Sequence, residues 1–267
     1  MILKTIAALG ALASFTSAHI VIPHLLVDKK DTGLWKHVLE VSAPDETWTG
    51  PYYYPGLIIP LEAYDSLDGE NITCGRAAFN SLGKTEIADV VAGEEIGFKT
   101  WYEVDNGEPW TAETTYSFYH TGPAQVYLSR APNDDLKSYH GDGDWFKVAY
   151  AGPKNSKSWE LDGPHRNDFN FTLPRTTPPG AYLMRFEYIY VTAFNTTQFY
   201  VSCALVNVKS PGPSVEPGKP AGFARFPGTY KIEDPGITVP RSQDRINGGV
   251  EVNLLEYKPP GPPVWEG

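Results

Sequence analysis

Apolar and polar residues alternate over several short stretches of this chain, and runs with a helical period are hard to find. Glu95–Trp101, Ala124–Leu128 and Phe169–Leu173 read as strands with one side toward a core. Longer runs cover 181–191, 199–208 and 250–257. Gly 25 and Pro 24 punctuate these segments, which predicts an all-β, mostly antiparallel sandwich with long loops. The long connections 24–70 and 102–118 are where function is expected. No internal repeat is evident. The stretch SPGPSVEPGKP, residues 210–220, resembles an interdomain linker, but the remainder to Gly267 offers a single strand-like run, 250–257. That is too little for an independent core. Residues 19–267 are therefore expected to form one domain, with 210–267 wrapped on it as a C-terminal extension.

The first eighteen residues change the picture of where the protein works. A short n-region ending in Lys4, an apolar stretch from Ile6 to Phe15 and the small pair Ser17-Ala18 have the layout of a secretory signal peptide. The stretch is too short to span a membrane. A buried N-terminal helix is the alternative. Cleavage after Ala18 would leave His19 at the mature N-terminus of a secreted, extracellular protein. Asn71-Ile72-Thr73, Asn170-Phe171-Thr172 and Asn195-Thr196-Thr197 are N-glycosylation sequons at Asn71, Asn170 and Asn195. Cys74 and Cys203 are the two cysteines, and an oxidising compartment favours their pairing. A net charge of −10 without a basic run argues against nucleic acid or an anionic membrane as partner. It is compatible with a neutral polysaccharide.

An N-terminal histidine is an unusual chemical group. Its α-amine, with a pKa of about 7.7–8.0, and its imidazole Nδ1 can close one chelate ring on a metal. A flat set of nitrogen ligands selects Cu(II), and a third nitrogen must come from elsewhere in the fold. His19 is otherwise an accident of the cleavage site. His120, in Tyr119-His120-Thr121-Gly122-Pro123, stands just before a predicted strand, where a histidine is more often a surface or capping residue than a ligand. Strand alternation puts Gln198, Tyr200 and Ser202 on one face and Phe199, Val201 and Cys203 on the other. Tyr200 is then either a core tyrosine or part of a site.

Taken together, these residues resemble the fungal lytic polysaccharide monooxygenases of auxiliary activity family 9. The resemblance rests on His19, the His-x-Gly-Pro element at His120 and the Gln-x-Tyr-x-x-Cys element at 198–203. Trp145–Ala149, Pro179–Glu187, Asp234–Ile237 and Pro260–Pro263 extend it over most of the mature chain. It implies an immunoglobulin-like β-sandwich holding one copper ion per chain. His19 would bind through its amine and Nδ1, His120 through Nε2, and Tyr200 through a more distant hydroxyl. Gln198 and Tyr200 would be the catalytic residues beside the metal, Cys74 and Cys203 the shared disulfide, and Tyr230 an aromatic on the flat substrate face.

The implied activity is oxidative cleavage of cellulose or a related β-1,4-glucan at C1 or C4. It uses O2 or hydrogen peroxide and an external electron donor, in a monomeric protein. One departure stands out. Where the family carries a histidine a few residues after Arg-x-Glu, here Arg185-Phe186-Glu187, this chain has Thr192. Threonine cannot titrate near neutral pH as imidazole does. A second expectation is therefore a copper-binding protein of the same fold with weak or no polysaccharide oxidation. A metal-free carbohydrate-binding sandwich is a third. The aromatics Tyr52, Tyr53, Tyr54, Trp101, Tyr102 and Trp110 are read as packing residues of the loops.

Overall fold

In the computed structural model, residues 20–41, 60–101, 118, 120–163 and 166–267 are described. The strands are β1 (Val21–Val27), β2 (Lys30–Asp31), β3 (Leu61–Glu62), β4 (Ala88–Val91), β5 (Glu95–Trp101) and β6 (Ala124–Arg130). They continue with β7 (Trp145–Ala151), β8 (Asp168–Thr172), β9 (Gly180–Tyr190), β10 (Gln198–Lys209) and β11 (Phe223–Ala224). Two one-turn helices, α1 (Ala63–Ser66) and α2 (Asn71–Cys74), follow β3. A four-stranded sheet has the order β2-β1-β5-β8, and a larger sheet the order β11-β7-β6-β9-β10-β3. The two pack as an immunoglobulin-like β-sandwich. The long β10 needs three partners along one edge. β3 pairs with its start, Val38 bridges to Ala204 at its middle, and β4 runs parallel to its end. Together they pair the start, middle and end of that edge.

The larger sheet is buried on both faces, which is why β9 and β10 read as nearly continuous apolar runs rather than clean alternations. One face, with Tyr182, Met184, Phe186, Tyr188 and Tyr200, meets Ile22, Leu25, Phe98 and Phe169 of the smaller sheet. The other, with Leu183, Ile189, Phe199, Val201 and Cys203, is covered by residues 61–82 and by Phe226, Tyr230, Ile237 and Leu254. Cys74 of α2 is bonded to Cys203 of β10. This ties the covering layer to the sheet across 129 residues of sequence.

That second face also holds charge. Arg185 and Glu187 of β9 are fully buried and pair at 2.8 Å. Arg185 donates to the carbonyls of Ile72 and Thr73, holding α2 down. Glu187 accepts from Gln125 Nε2 at 2.9 Å and from the Tyr230 hydroxyl. Lys147 of β7 donates to the Pro260 carbonyl at 2.9 Å. Residues 223–265 thus lie on the sheet through polar anchors as well as apolar ones.

Two sequence expectations need correction. The run 250–257 is not a strand but two 3-10 turns, Gly249–Glu251 and Leu254–Glu256. Its amides go to single loop carbonyls: Asn253 N to Ser242 O, and Leu254 N to Ser156 O. Val252, Leu254 and Tyr257 are buried at these turns, while Leu255 is exposed. The stretch 24–70 is likewise not one connection, since it contains most of β1 as well as β2, β3 and α1.

Candidate metal centre

The candidate residues converge where β6 and β10 begin and β9 ends, because these antiparallel neighbours place those ends together: Ala124 is opposite Tyr188, and Gln198 is opposite Tyr190. The segment entering β6 carries His120. A Cβ on Gly122 would stand 1.7 Å from the Ile189 carbonyl oxygen, so only glycine lets this segment close onto β9. Pro123 then accepts a hydrogen bond from Ile189 N at 2.9 Å. The Gly-Pro after the histidine is thus the device that seats it.

Once seated, the half-buried His120 ring stacks on Tyr190 with centroids 4.4 Å apart, and on Tyr200 at 5.7 Å. Tyr200 packs in the inter-sheet core, and its hydroxyl donates to Gln198 Oε1 at 2.9 Å. Burial first, then the neighbouring Tyr190 and Glu62, push the Tyr200 phenol well above its ordinary range. It is therefore a neutral oxygen whose lone pairs point away from the proton it gives to Gln198. His120, Tyr200 and Gln198, distant in sequence, form one contiguous set.

His19 lies outside the described residues. Its chain neighbour Ile20 is buried, and Ile20 and Tyr200 line the same small cavity with Leu61 and Arg76. The chain thus enters the fold beside the Tyr200 ring. Among the described residues there is no cluster of three His, Cys, Asp or Glu side chains. An imidazole and a neutral phenol in one cluster fit the donor set that a copper ion takes.

Thr192 is buried at the β9–β10 turn. Its hydroxyl donates to Phe194 O at 2.7 Å, and its amide donates to Thr197 Oγ1 at 3.0 Å. The hydroxyl is spent on shaping the turn. Tyr230 is not on a surface as expected: it is 1 % exposed, bonded to Glu187 and to Tyr127. Its phenol satisfies a buried carboxylate, a task that an apolar aromatic cannot perform. Of the sequons, Asn195 is exposed on the β9–β10 turn. Asn71 accepts from Ala77 N, and Asn170 donates to Asp168. Tyr52, Tyr53, Tyr54, Tyr102, Trp110 and the Trp101 side chain lie outside the described part.

Sequence reasoning missed Glu62 and Tyr64. Glu62 is the β3 partner of Gln198 and adds to the upward push on the Tyr200 phenol, and the exposed Tyr64 follows two residues later. No motif marks either. The one usable signal is the strand-like pair Leu61-Glu62, too short to stand out.

Residues 19–247 match the family described as Auxiliary Activity family 9 (formerly GH61). AA9 family lytic polysaccharide monooxygenase U of Thermothielavioides terrestris is 46% identical over 98% of both chains. AA9 family lytic polysaccharide monooxygenase C of Emericella nidulans is 37% identical over 97% of this chain and 96% of its own. The solved structure of CvAA9A superimposes with a TM-score of 0.66 at 23% identity, over 93% of this chain and 98% of its own.

Proposed function

The chain belongs to auxiliary activity family 9, whose members are copper-dependent polysaccharide monooxygenases, and on that premise we propose that it is secreted and oxidatively cleaves cellulose or a related β-1,4-glucan at a histidine brace. The observation that carries the reading is the joining of His120, Tyr200 and Gln198 into one set, with Ile20 beside Tyr200. His120 offers an imidazole nitrogen. His19, released by cleavage after Ala18, offers its amine and Nδ1. Copper, when bound, supplies the chemistry that activates O2 or hydrogen peroxide with electrons from an external donor. Gln198 fixes the Tyr200 hydroxyl so that the buried phenol presents oxygen rather than hydrogen toward the site. The apolar wall behind the ring keeps water from that side. No helix among the described residues is long and apolar enough to cross a membrane.

Two measurements test the reading. EPR of the mature protein with one equivalent of Cu(II) should give a three-nitrogen signal, lost in His120→Ala and in protein carrying an extra residue before His19. Incubation of the copper form with a reductant and several glucans should yield oxidised oligosaccharides. A normal copper signal without oxidised product from any glucan would support a second reading, that of a copper-binding protein with weak or no oxidation. The observation favouring it is the Thr192 hydroxyl, which is bonded inside its own turn. A large gain of activity in Thr192→His would establish it.

A further inference from the structure

Thr197, the residue before Gln198, is fully buried. Its one hydroxyl is used twice: it donates to the Ile237 carbonyl and accepts from the Thr192 amide at 3.0 Å. Its own carbonyl accepts from Ala63 N at 2.8 Å. A single residue thus joins the β9–β10 turn, the C-terminal segment at Ile237 and the start of α1. The same C-terminal segment holds the other end of the turn. Asp244 accepts from Ala193 N at 2.8 Å, and Val239 N donates to Thr192 O at 3.1 Å. Thr197 is where that fixation reaches β10.

The junction bears on the candidate metal centre through Gln198. Gln198 opens β10, with Glu62 and Tyr190 as its ladder partners, and Thr197 lies outside the strand. A strand end opens easily unless the chain leading into it is held. Gln198 Oε1 in turn accepts from the Tyr200 hydroxyl at 2.9 Å. A hydroxyl can give and take a hydrogen bond at once, and a methyl can do neither. Valine at 197 would therefore remove the partner of the Thr192 amide and of the Ile237 carbonyl, both in buried residues. To pair them again the turn must shift, and Gln198 shifts with it.

We propose that Thr197 is a positioning residue for the candidate metal centre: its doubly bonded hydroxyl sets Gln198, and Gln198 sets the Tyr200 oxygen. This rests on the copper reading above. It also gives the buried turn a task beyond stability.

The test uses mature full-length secreted protein loaded with copper. Thr197 also completes the Asn195 sequon, so Asn195→Gln is the matched comparator for Thr197→Val, while Thr197→Ser keeps both hydroxyl and sequon. Thr177→Val deletes another buried hydroxyl, bonded to the Pro174 carbonyl at 2.6 Å, before the far end of β9. Thr197→Val should keep a three-nitrogen EPR signal, but with a spectrum shifted from that of Asn195→Gln. Its release of oxidised product should slow about tenfold, with retention on the glucan unchanged. Thr197→Ser should restore the wild-type spectrum and rate, and Thr177→Val should not disturb them. In wild type, the Thr192 amide should exchange with solvent at least about a hundredfold more slowly than an unprotected amide, a measurement that needs no variant to fold. An unprotected Thr192 amide overturns this inference alone. So does a folded Thr197→Val matching Asn195→Gln, a Thr197→Ser as shifted as Thr197→Val, or the same shift in Thr177→Val. If wild type binds copper without oxidising any glucan, the spectra decide. A wild type without a three-nitrogen signal overturns the underlying reading as well.

Discussion

Lys147 tests how the C-terminal segment is anchored. Its side chain is buried against the rings of Tyr127 and Tyr150, 5.4 and 5.9 Å from their centres. Burial pushes its ammonium down from 10.5 to about 8, and the Glu187 carboxylate only partly opposes this. Below pH 8 both folded and unfolded chains hold the proton, and the folded one bears the full desolvation penalty. Between pH 8 and 10.5 the unfolded chain holds more protons, so this group's contribution to stability rises with pH. Integrated from pH 7 to 9.5, the rise is roughly 2 kcal/mol. Lys147→Met keeps the stem and removes the titration. The Met variant also loses the bond to Pro260, so its stability at any one pH is not the informative quantity. The difference of differences is: urea unfolding of both proteins at pH 7 and 9.5 should show wild type gaining about 2 kcal/mol relative to Lys147→Met. Tyrosine ionisation is common to both proteins and largely cancels. Equal pH dependence in the two would refute a desolvated ammonium at this position.

Other perturbations probe separate parts of the fold. Replacing Cys74 and Cys203 together by alanine opens a 129-residue span and should lower unfolding stability by about 5 kcal/mol in the chain-entropy view, measured by denaturant titration under non-reducing conditions. Glu187→Gln leaves Arg185 as an uncompensated buried charge and should cost about 3–5 kcal/mol; a loss below about 1 kcal/mol in the same titration contradicts the pairing. Thr192→Val removes the hydroxyl that Phe194 O accepts from, and should cost about 1–2 kcal/mol without changing the copper EPR signal. A Val variant as stable as wild type would show that the turn does not depend on that bond.

What could be read from the sequence follows from where each residue finds its partners. β5 was readable as a strand because it turns one face to a core within its own alternation, and β6 was readable from its short apolar run although both its faces are buried. The strand character of β9 and β10 was equally plain, but their two-sided burial was not, since the second layer comes from residues 61–82 and 223–257. The run 250–257 has the composition of a strand and lacks only an edge to pair with, which is a property of distant residues. Tyr230 shows the same limit from another side. A tyrosine suits a sugar face and a buried carboxylate equally well, and only the fold brings Glu187 beneath it.

The site itself divides along this line. His120 was findable because Gly122 and Pro123 are local consequences of closing its segment onto β9. Gln198 and Tyr200 were findable because alternation puts both on one face of β10. Glu62 and Tyr64 reach the same place through a two-residue strand paired across more than half the chain, and nothing near them in sequence records that contact. Thr192 is intermediate. Its identity as a departure was visible in sequence, but the reason it is tolerated is a hydrogen-bonding pattern inside the turn. A histidine there would have to replace the hydroxyl's contacts with Phe194 and Thr196, while the amide bond to Thr197 would remain available. The turn that carries Phe194 and the loss of the family histidine are therefore coupled. Restoring the histidine removes the threonine hydroxyl from the turn, so Thr192→His should lower unfolding stability by about 1–2 kcal/mol in denaturant titration, and a variant as stable as wild type would refute the coupling.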